Sequence, residues 1–477
     1  MSRIKQAVII GGGFAGLSAA CYMQRAGYRT LLLDKNPQPG GRAQFAEEAG
    51  FKFSLGPNWY TMADIYEDFF KDFGHSRQDL YSLIKLAPAY KTFIDGQELS
   101  AQNIDQTTED LNNINSGDGL GFKRLVNRSK LVYADFKLNF LYKSWNSKLE
   151  RFSLKTALNL AKLPKEPYTE HLSRLVKSSR AQDLLAVPAK TIFGQDPKEL
   201  SSVYSFLPYS TFEQGIFYPV GGFKTVLESV QRIAMELGVE IYQSCEVSKI
   251  ESEYGLASAV ILKDSNERIP ADIIIAATDY QHAEGLLEYK NRSYKPKFWN
   301  KKEYSPSALI ISLGLNAKTP HLSHHNNFMA IGGPSFYVCC ASKTDLSLAP
   351  EYGEGLTITI PIPAGKDLSE DDTLRIKSFV YEEISKVVGF RIEEHIQVEH
   401  TLSHQYFKTM FNASGGSAFG LKMNSRQIFW KRPRTRSKRL NNLLYAGQDA
   451  NPGPSVPFAI ASGRVAAYAA LNKKNPS

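Results

Sequence analysis

Apolar positions in the first 35 residues fall in two short runs separated by small residues. "AVII" (7–10) reads as a buried strand, "GGGFAGLSAACYMQRAG" (11–27) as a tight turn entering a helix that ends at Gly27, and "YRTLLLDK" (28–35) as a second strand. Short apolar runs bounded by glycine suit strands covered on both faces, as in a parallel sheet. The same form returns far along the chain in "ADIIIAATD" (271–279) and "LLYAG" (443–447), which are expected to join that sheet. "ALIISLGL" (308–315) and "LTITIPIP" (356–363) read as strands of a different layer. Apolar and basic positions interleave in "LNFLYKSW" (138–145) and "LKTALNLAKL" (154–163), an amphipathic pattern. The small-residue stretch from about Ala459 closes the chain as a helix.

These elements predict an α/β protein in which a Rossmann-like nucleotide-binding domain is assembled from discontinuous segments. Residues 1–85, 215–285 and 430–477 are assigned to it, 86–214 to a helical insertion that forms a lid or faces a membrane, and 286–429 to a mixed-sheet substrate domain. A chain of 477 residues is long enough for such subdivision.

The turn at 11–16 carries chemistry. Gly11, Gly13 and Gly16 meet G-x-G-x-x-G between a strand and a helix, and Asp34 closes the second strand. Gly11 permits the turn, Gly13 lets a pyrophosphate approach the backbone, and Gly16 lets the helix pack on the strand. The helix start offers free N–H groups to phosphates, with Phe14 and Ala15 in its first turn, and Asp34 can accept from a ribose hydroxyl. Gly40, Gly41 and Arg42 follow shortly after; a Gly-Gly-Arg turn here sends its arginine toward the phosphates and favours FAD over NAD.

Charge and composition narrow the rest. The net charge of +9 is concentrated: nine Lys and Arg stand against three Glu between 143 and 180, and "KRPRTRSKR" (431–439) holds six more. No nucleic-acid module accompanies this charge, so nucleic acid is not an expected partner, whereas an anionic lipid surface is. No run of about 18 uncharged apolar residues is present, and the start leaves no room for a signal peptide, which predicts a cytoplasmic protein attached peripherally to the membrane. Cys21, Cys245, Cys339 and Cys340 have no zinc-type spacing and read as reduced and structural. His321, His324 and His325 in "HLSHH" read as a flexible polar loop with no cysteine nearby, so no metal is expected. Glu67 and Asp68 read as a solvated helix surface, and no catalytic acid or base is singled out.

Four further stretches carry a family resemblance. "GFKFSLGPNWYTMADIYEDFFKDFG" (50–74), "GIFYPVGGFKTVLESVQRIAMELGVEIYQSCEVSKIE" (215–251), "PSFYVCCASKTDLSLAPEYGEGLTITIPIP" (334–363) and "PGPSVP" (452–457) resemble segments of the bacterial carotenoid desaturases of the phytoene desaturase type. Ser54, Asn58 and Ser455 depart from that family's pattern, Ser455 standing where a glycine is usual beside the flavin. The resemblance implies FAD-dependent removal of hydrogen from a long linear isoprenoid such as phytoene, with a quinone or oxygen reoxidising the flavin. A related carotenoid oxygenase, an isomerase, a desaturase of hydroxylated polyenes and, further off, an amine oxidase or a non-enzymatic FAD-bound scaffold are the alternatives. It implies cofactor contacts at Lys35, Gly41, Arg42, Gly56, Pro57, Val247, Gly447, Asp449, Val456 and Pro457, beside the glycine turn. An apolar polyene must be held by burial at roughly 0.8 kcal/mol per methylene, so aromatic runs such as "NWYTM", "SFLPYSTFEQGIFY" and "FYV" are candidates for a tunnel wall. The pattern selects no oligomeric state.

Overall fold

The computed structural model describes residues 3–94, 96–146, 166–329 and 332–473. Its nucleotide-binding sheet has five strands in the order Leu443–Tyr445, Ile273–Ala276, Gln6–Ile10, Arg29–Leu33 and Glu240–Tyr242. Every pairing is parallel. Three distant parts of the chain thus meet around "AVII", whose Ala7, Val8 and Ile9 are wholly buried. Such a sheet needs a cover on each face, and this explains why its strands are unbroken apolar runs rather than alternating ones.

One face is covered by the opening helix, Phe14–Arg25, and the closing helix, Val456–Ala470. The closing helix begins three residues earlier than the sequence suggests. Its small residues have a packing reason: a Cβ on Gly463 would lie 2.3 Å from the Ala15 carbonyl oxygen, and Ser18 Oγ donates to the Ile460 carbonyl at 2.8 Å.

The second sheet has seven strands, ordered Ile396–Leu402, Ser307–Leu315, Glu354–Ile362, Phe336–Cys339, His325–Met329, Tyr90–Ile94 and Gln97–Ala101. It is mixed, because His325–Met329 and Tyr90–Ile94 run parallel while the other neighbours are antiparallel. The two strands predicted from 308–315 and 356–363 sit side by side as its second and third strands, Ile311 opposite Ile358. Helix Glu370–Val388 packs Val380, Ile384 and Val388 against this sheet.

Residues 86–214 differ from the all-helical expectation, since Tyr90–Ile94 and Gln97–Ala101 extend the second sheet. Tyr90, Thr92, Phe93 and Ile94 are all buried, and so short an apolar run carries no period to separate strand from helix. Helices dominate the rest of the described segment: Asp118–Phe136, Tyr168–Leu175 and Ser179–Phe193 share a core with Phe206, Phe212 and Phe458 of the closing helix. The amphipathic stretch at 154–163 lies outside the described residues.

Candidate cofactor and substrate site

The glycine turn shows which of its glycines the protein itself demands. Gly11 has φ +103°, and a Cβ there would lie 2.8 Å from the Ala277 carbonyl oxygen. A Cβ on Gly16 would lie 1.8 Å from the Gly11 carbonyl oxygen, so this glycine seats the helix on the strand. Gly13 is different: the nearest protein atom to its Cβ position, Gly41 Cα, is a comfortable 3.5 Å away. No atom of the described residues requires glycine at Gly13; an occupant of the adjoining cavity would. Gly447, with open space at its Cβ position, is held as glycine by its own backbone, φ +107°, rather than by a neighbouring atom.

That cavity measures about 940 Å³. Of the sixteen residues expected at the cofactor, Gly11, Gly13, Phe14, Ala15, Asp34, Lys35, Gly41, Arg42, Gly56, Pro57, Val247, Gly447, Val456 and Pro457 lie on its wall. Gly16 and Asp449 do not. Gly16 is buried between helix and strand. The Asp449 carboxylate turns into the protein, where it accepts the Leu421 N–H at 2.9 Å and the Tyr280 N–H at 3.5 Å. Burial and the Asp279 charge raise its carboxyl to about 6, and it braces the wall from behind.

Asp34 accepts the Gly12 N–H at 2.6 Å and the Asn36 N–H at 2.8 Å, and burial pushes its carboxyl up against these two bonds. A carboxylate has about four acceptor sites, so two remain for a ligand. Lys35 donates to the Thr409 carbonyl at 2.5 Å and to Asn412 Oδ1 at 3.0 Å, which ties the end of the strand Arg29–Leu33 to the segment beneath the second sheet. Arg42 donates Nη2 to the Ser417 carbonyl at 3.1 Å and lies over the Phe411 ring, but its Nε is buried without a hydrogen-bond partner among the described residues. Burial lowers its pKa, while Asp449 and Asp279 oppose that shift. An orphaned guanidinium N–H on a cavity wall fits a phosphate-bearing ligand.

At the start of the closing helix, Ser455 adopts φ 121°, ψ 158°, a region occupied almost only by glycine. The glycine backbone is therefore kept in spite of the side chain, whose Oγ caps the Phe458 N–H at 3.4 Å. Pro457 has no N–H and Ser455 takes those of Phe458 and Ala459, so Val456 supplies the donor at this helix start rather than a whole first turn. The strain costs ~1–3 kcal/mol, against a few tenths for replacing the cap by glycine and ~0.5–1 for glycine's entropy. Ser455→Gly is accordingly expected to stabilise the protein by about 1 kcal/mol, read as a higher denaturation midpoint with an unchanged flavin spectrum. A lower midpoint would mean that the cap outweighs the strain.

Beyond the glycine turn the cavity continues to Trp59, Met329, Phe336 and Tyr337. Two of the three aromatic runs therefore reach the wall. The third does not: Phe206 and Phe212 are core residues. Glu67 and Asp68 are off the wall and paired with Arg77 and Lys137 at 3.0 and 2.7 Å. The sequence reading missed Ser179, Gln182, Asp183, Ala186 and Lys190, which line the far part of the cavity from one helix face. Their spacing of three and four residues inside an otherwise apolar helix is a signal that was available.

The histidine segment also departs from expectation. His321 is exposed, but His324 and His325 are buried, and Cys339 lies beside them. His325 opens a strand rather than sitting in a loop, and strand pairing brings up the cysteine from fourteen residues away. All four cysteines are free thiols, three of them buried.

The model of the family described as flavin containing amine oxidoreductase matches residues 14–471. The chain belongs to that family. Its cofactor is accordingly FAD, and it is an oxidoreductase. A carotenoid 3,4-desaturase of Haloarcula japonica is 29% identical over 97% of both chains. A zeta-carotene-forming phytoene desaturase of Myxococcus xanthus is 27% identical over 97% of this chain and 93% of that one. Among solved structures, cyclohexylamine oxidase from Brevibacterium oxydans superposes with a TM-score of 0.61 over 98% of this chain and 99% of that one, at 14% identity, a likeness of fold.

Proposed function

We propose that the protein is an FAD-dependent carotenoid desaturase that withdraws hydrogen from a long linear polyene. The observation that carries this reading is the single cavity that joins the glycine cradle to an aromatic chamber, together with the names of the relatives above. The N-terminus of the opening helix would hold the pyrophosphate and Asp34 the ribose, with Val247 beside the adenine and Arg42 at the phosphates. Bound FAD supplies the acceptor for a hydride from an allylic carbon. Trp59, Phe336 and Tyr337 align the chain and exclude water, and the C–H next to the resulting allylic cation is acidic enough to need no strong base.

The polar stripe Gln182, Asp183 and Lys190 on the wall favours, as a second reading, a polyene with a polar end group. Burial lowers the Lys190 ammonium pKa while Asp183 and Asp196 hold it up, and such a group discriminates strongly between a hydroxyl or carbonyl and a bare methyl end.

So apolar a substrate comes from a membrane. No helix among the described residues is long and apolar enough to cross one. Helix Asp118–Phe136 buries Phe122, Leu125, Tyr133 and Phe136, while exposed Leu120, Arg124, Asn127, Leu131 and Ala134 form a stripe on its outer face that Leu138 prolongs. Lys123, Arg128 and Lys130 flank it. This helix packs on Tyr168–Leu175, since a Cβ on Gly121 would lie 1.9 Å from the Leu175 carbonyl oxygen, and Thr169 and Leu172 of that neighbour reach the cavity. The stripe therefore lies beside a route into the site and has the make-up of an interfacial surface.

One assay tests the whole reading. Phytoene and a hydroxylated polyene are supplied to the FAD-loaded protein either in anionic liposomes or in detergent, and products are resolved by absorption. New conjugated product is expected, with L120S/L131S/L138S losing most turnover from liposomes and little from detergent. No product from either polyene refutes the desaturase; equal loss in both media refutes the docking face.

A further inference from the structure

His324, His325 and Cys339 form a cluster that the flavin chemistry does not use. One ligand-type atom from each lies within 4.8 Å of the others, and all three residues are buried, His325 completely. His325 and Cys339 stand opposite each other in an antiparallel pair, which sets Cβ atoms ~4.5–5.5 Å apart on one face. His324 precedes the strand, its carbonyl accepts the Cys340 N–H at 2.8 Å, and its ring meets that of His325 edge-on at 4.5 Å.

Both rings are held as metal ligands are held. His324 Nδ1 is 2.7 Å from Thr344 Oγ1, and His325 Nδ1 is 2.7 Å from the Tyr337 hydroxyl. Outer partners on Nδ1 orient an imidazole and leave Nε2 to coordinate. His325 Nε2 is buried with no hydrogen-bond partner among the described residues, the kind of orphan that calls for an explanation in a native core. Access comes from a second cavity of about 310 Å³, bordered by His324 and Cys339 together with Tyr218, Lys224 and Ser342.

We propose that His324, His325 and Cys339 bind one zinc-class divalent ion, with the fourth position open to this second cavity. Two imidazoles and a thiolate suit zinc or cobalt and not magnesium or calcium. Tetrahedral bonds of about 2.0–2.3 Å place ligand atoms roughly 3.5 Å apart, so the cluster contracts on binding. The metal–sulfur bond replaces the Cys339 S–H bond, and the proton leaves to solvent. The ion would clamp the strands His325–Met329 and Phe336–Cys339. It would also fix His325, against which Trp59 stacks at 5.0 Å and 24°. Trp59 and Tyr337 are on the large cavity's wall, so the ion stiffens the chamber without touching a substrate.

The test uses full-length, FAD-loaded protein stripped by a chelator and re-equilibrated with zinc. Elemental analysis is expected to give one zinc per chain, and X-ray absorption at the zinc edge a sphere of one sulfur and nitrogen or oxygen neighbours. Cys339→Ser and His324→Gln should each weaken zinc binding by at least ~10-fold while the bound flavin absorbance persists, and Cys245→Ser should leave it unchanged. Substoichiometric zinc, a sphere without sulfur, or undiminished binding in both ligand variants would overturn the site. Should Cys339→Ser lose its flavin, His324→Gln decides.

Discussion

Gly463→Ala is expected to destabilise the protein by about 1–2 kcal/mol and to release its flavin, although alanine is the better helix former by about 1 kcal/mol. The added Cβ would lie 2.3 Å from the Ala15 carbonyl oxygen, 2.7 Å from Ser18 Cβ and 2.8 Å from the Ala19 nitrogen. Two of these atoms are backbone of the opening helix, so no side-chain rotation relieves them, and overpacking of this kind costs ~1–3 kcal/mol or more. Relief requires the helices to part, which breaks the bond from Ser18 to Ile460 and shifts the turn at Gly11–Gly16. Gly285→Ala is the matched control: it ends a helix with nothing within 4 Å of its Cβ position and should be neutral or stabilising. Denaturant midpoints and flavin retained after gel filtration read both effects. A midpoint for Gly463→Ala at or above the parent's would show that propensity outweighs packing here.

Much of this site was legible because its parts are local. Glycine spacing, the acid at Asp34 and the Gly-Gly-Arg turn each depend on a few consecutive residues whose backbone requirements are severe, and the structure puts nearly all of them on one wall. What the pattern hid was non-local. Asp449 is next to the closing turn in sequence, yet its carboxylate is drawn inward by the N–H groups of Leu421 and Tyr280, and no spacing rule reports that. Tyr90–Ile94 looked like part of a helical insertion because its partner, His325–Met329, is more than 230 residues away. The cluster at His324 needed a strand pairing to bring in Cys339. The cavity face of Ser179–Phe193 had a legible helical period, but only the cavity in front of its polar residues shows what they face.

Arg42→Met is expected to weaken FAD binding by about 10- to 100-fold, the worth of ~1.5–3 kcal/mol for hydrogen bonds to a charged group, while leaving the apoprotein as stable as the parent. The two effects separate because the described residues satisfy the guanidinium poorly: one bond to the Ser417 carbonyl, a stacked Phe411 ring and an Nε with no partner among them. Removing this buried, desolvated cation relieves its own burial cost but withdraws a charge from Asp449 and Asp279, two effects that oppose each other in the empty fold. Methionine retains the packing against Phe411, so loss of volume does not confuse the result. Arg42→Lys keeps the charge without the planar fork and should recover only part of the affinity. Titration of apoprotein with FAD, followed by flavin fluorescence at two ionic strengths, measures this directly: the parent's affinity should fall with salt more steeply than that of the methionine variant. Equal affinities would place the phosphates away from Arg42 and leave its orphaned Nε for another ligand. Tight binding in Arg42→Lys but not in Arg42→Met would mean that charge alone suffices.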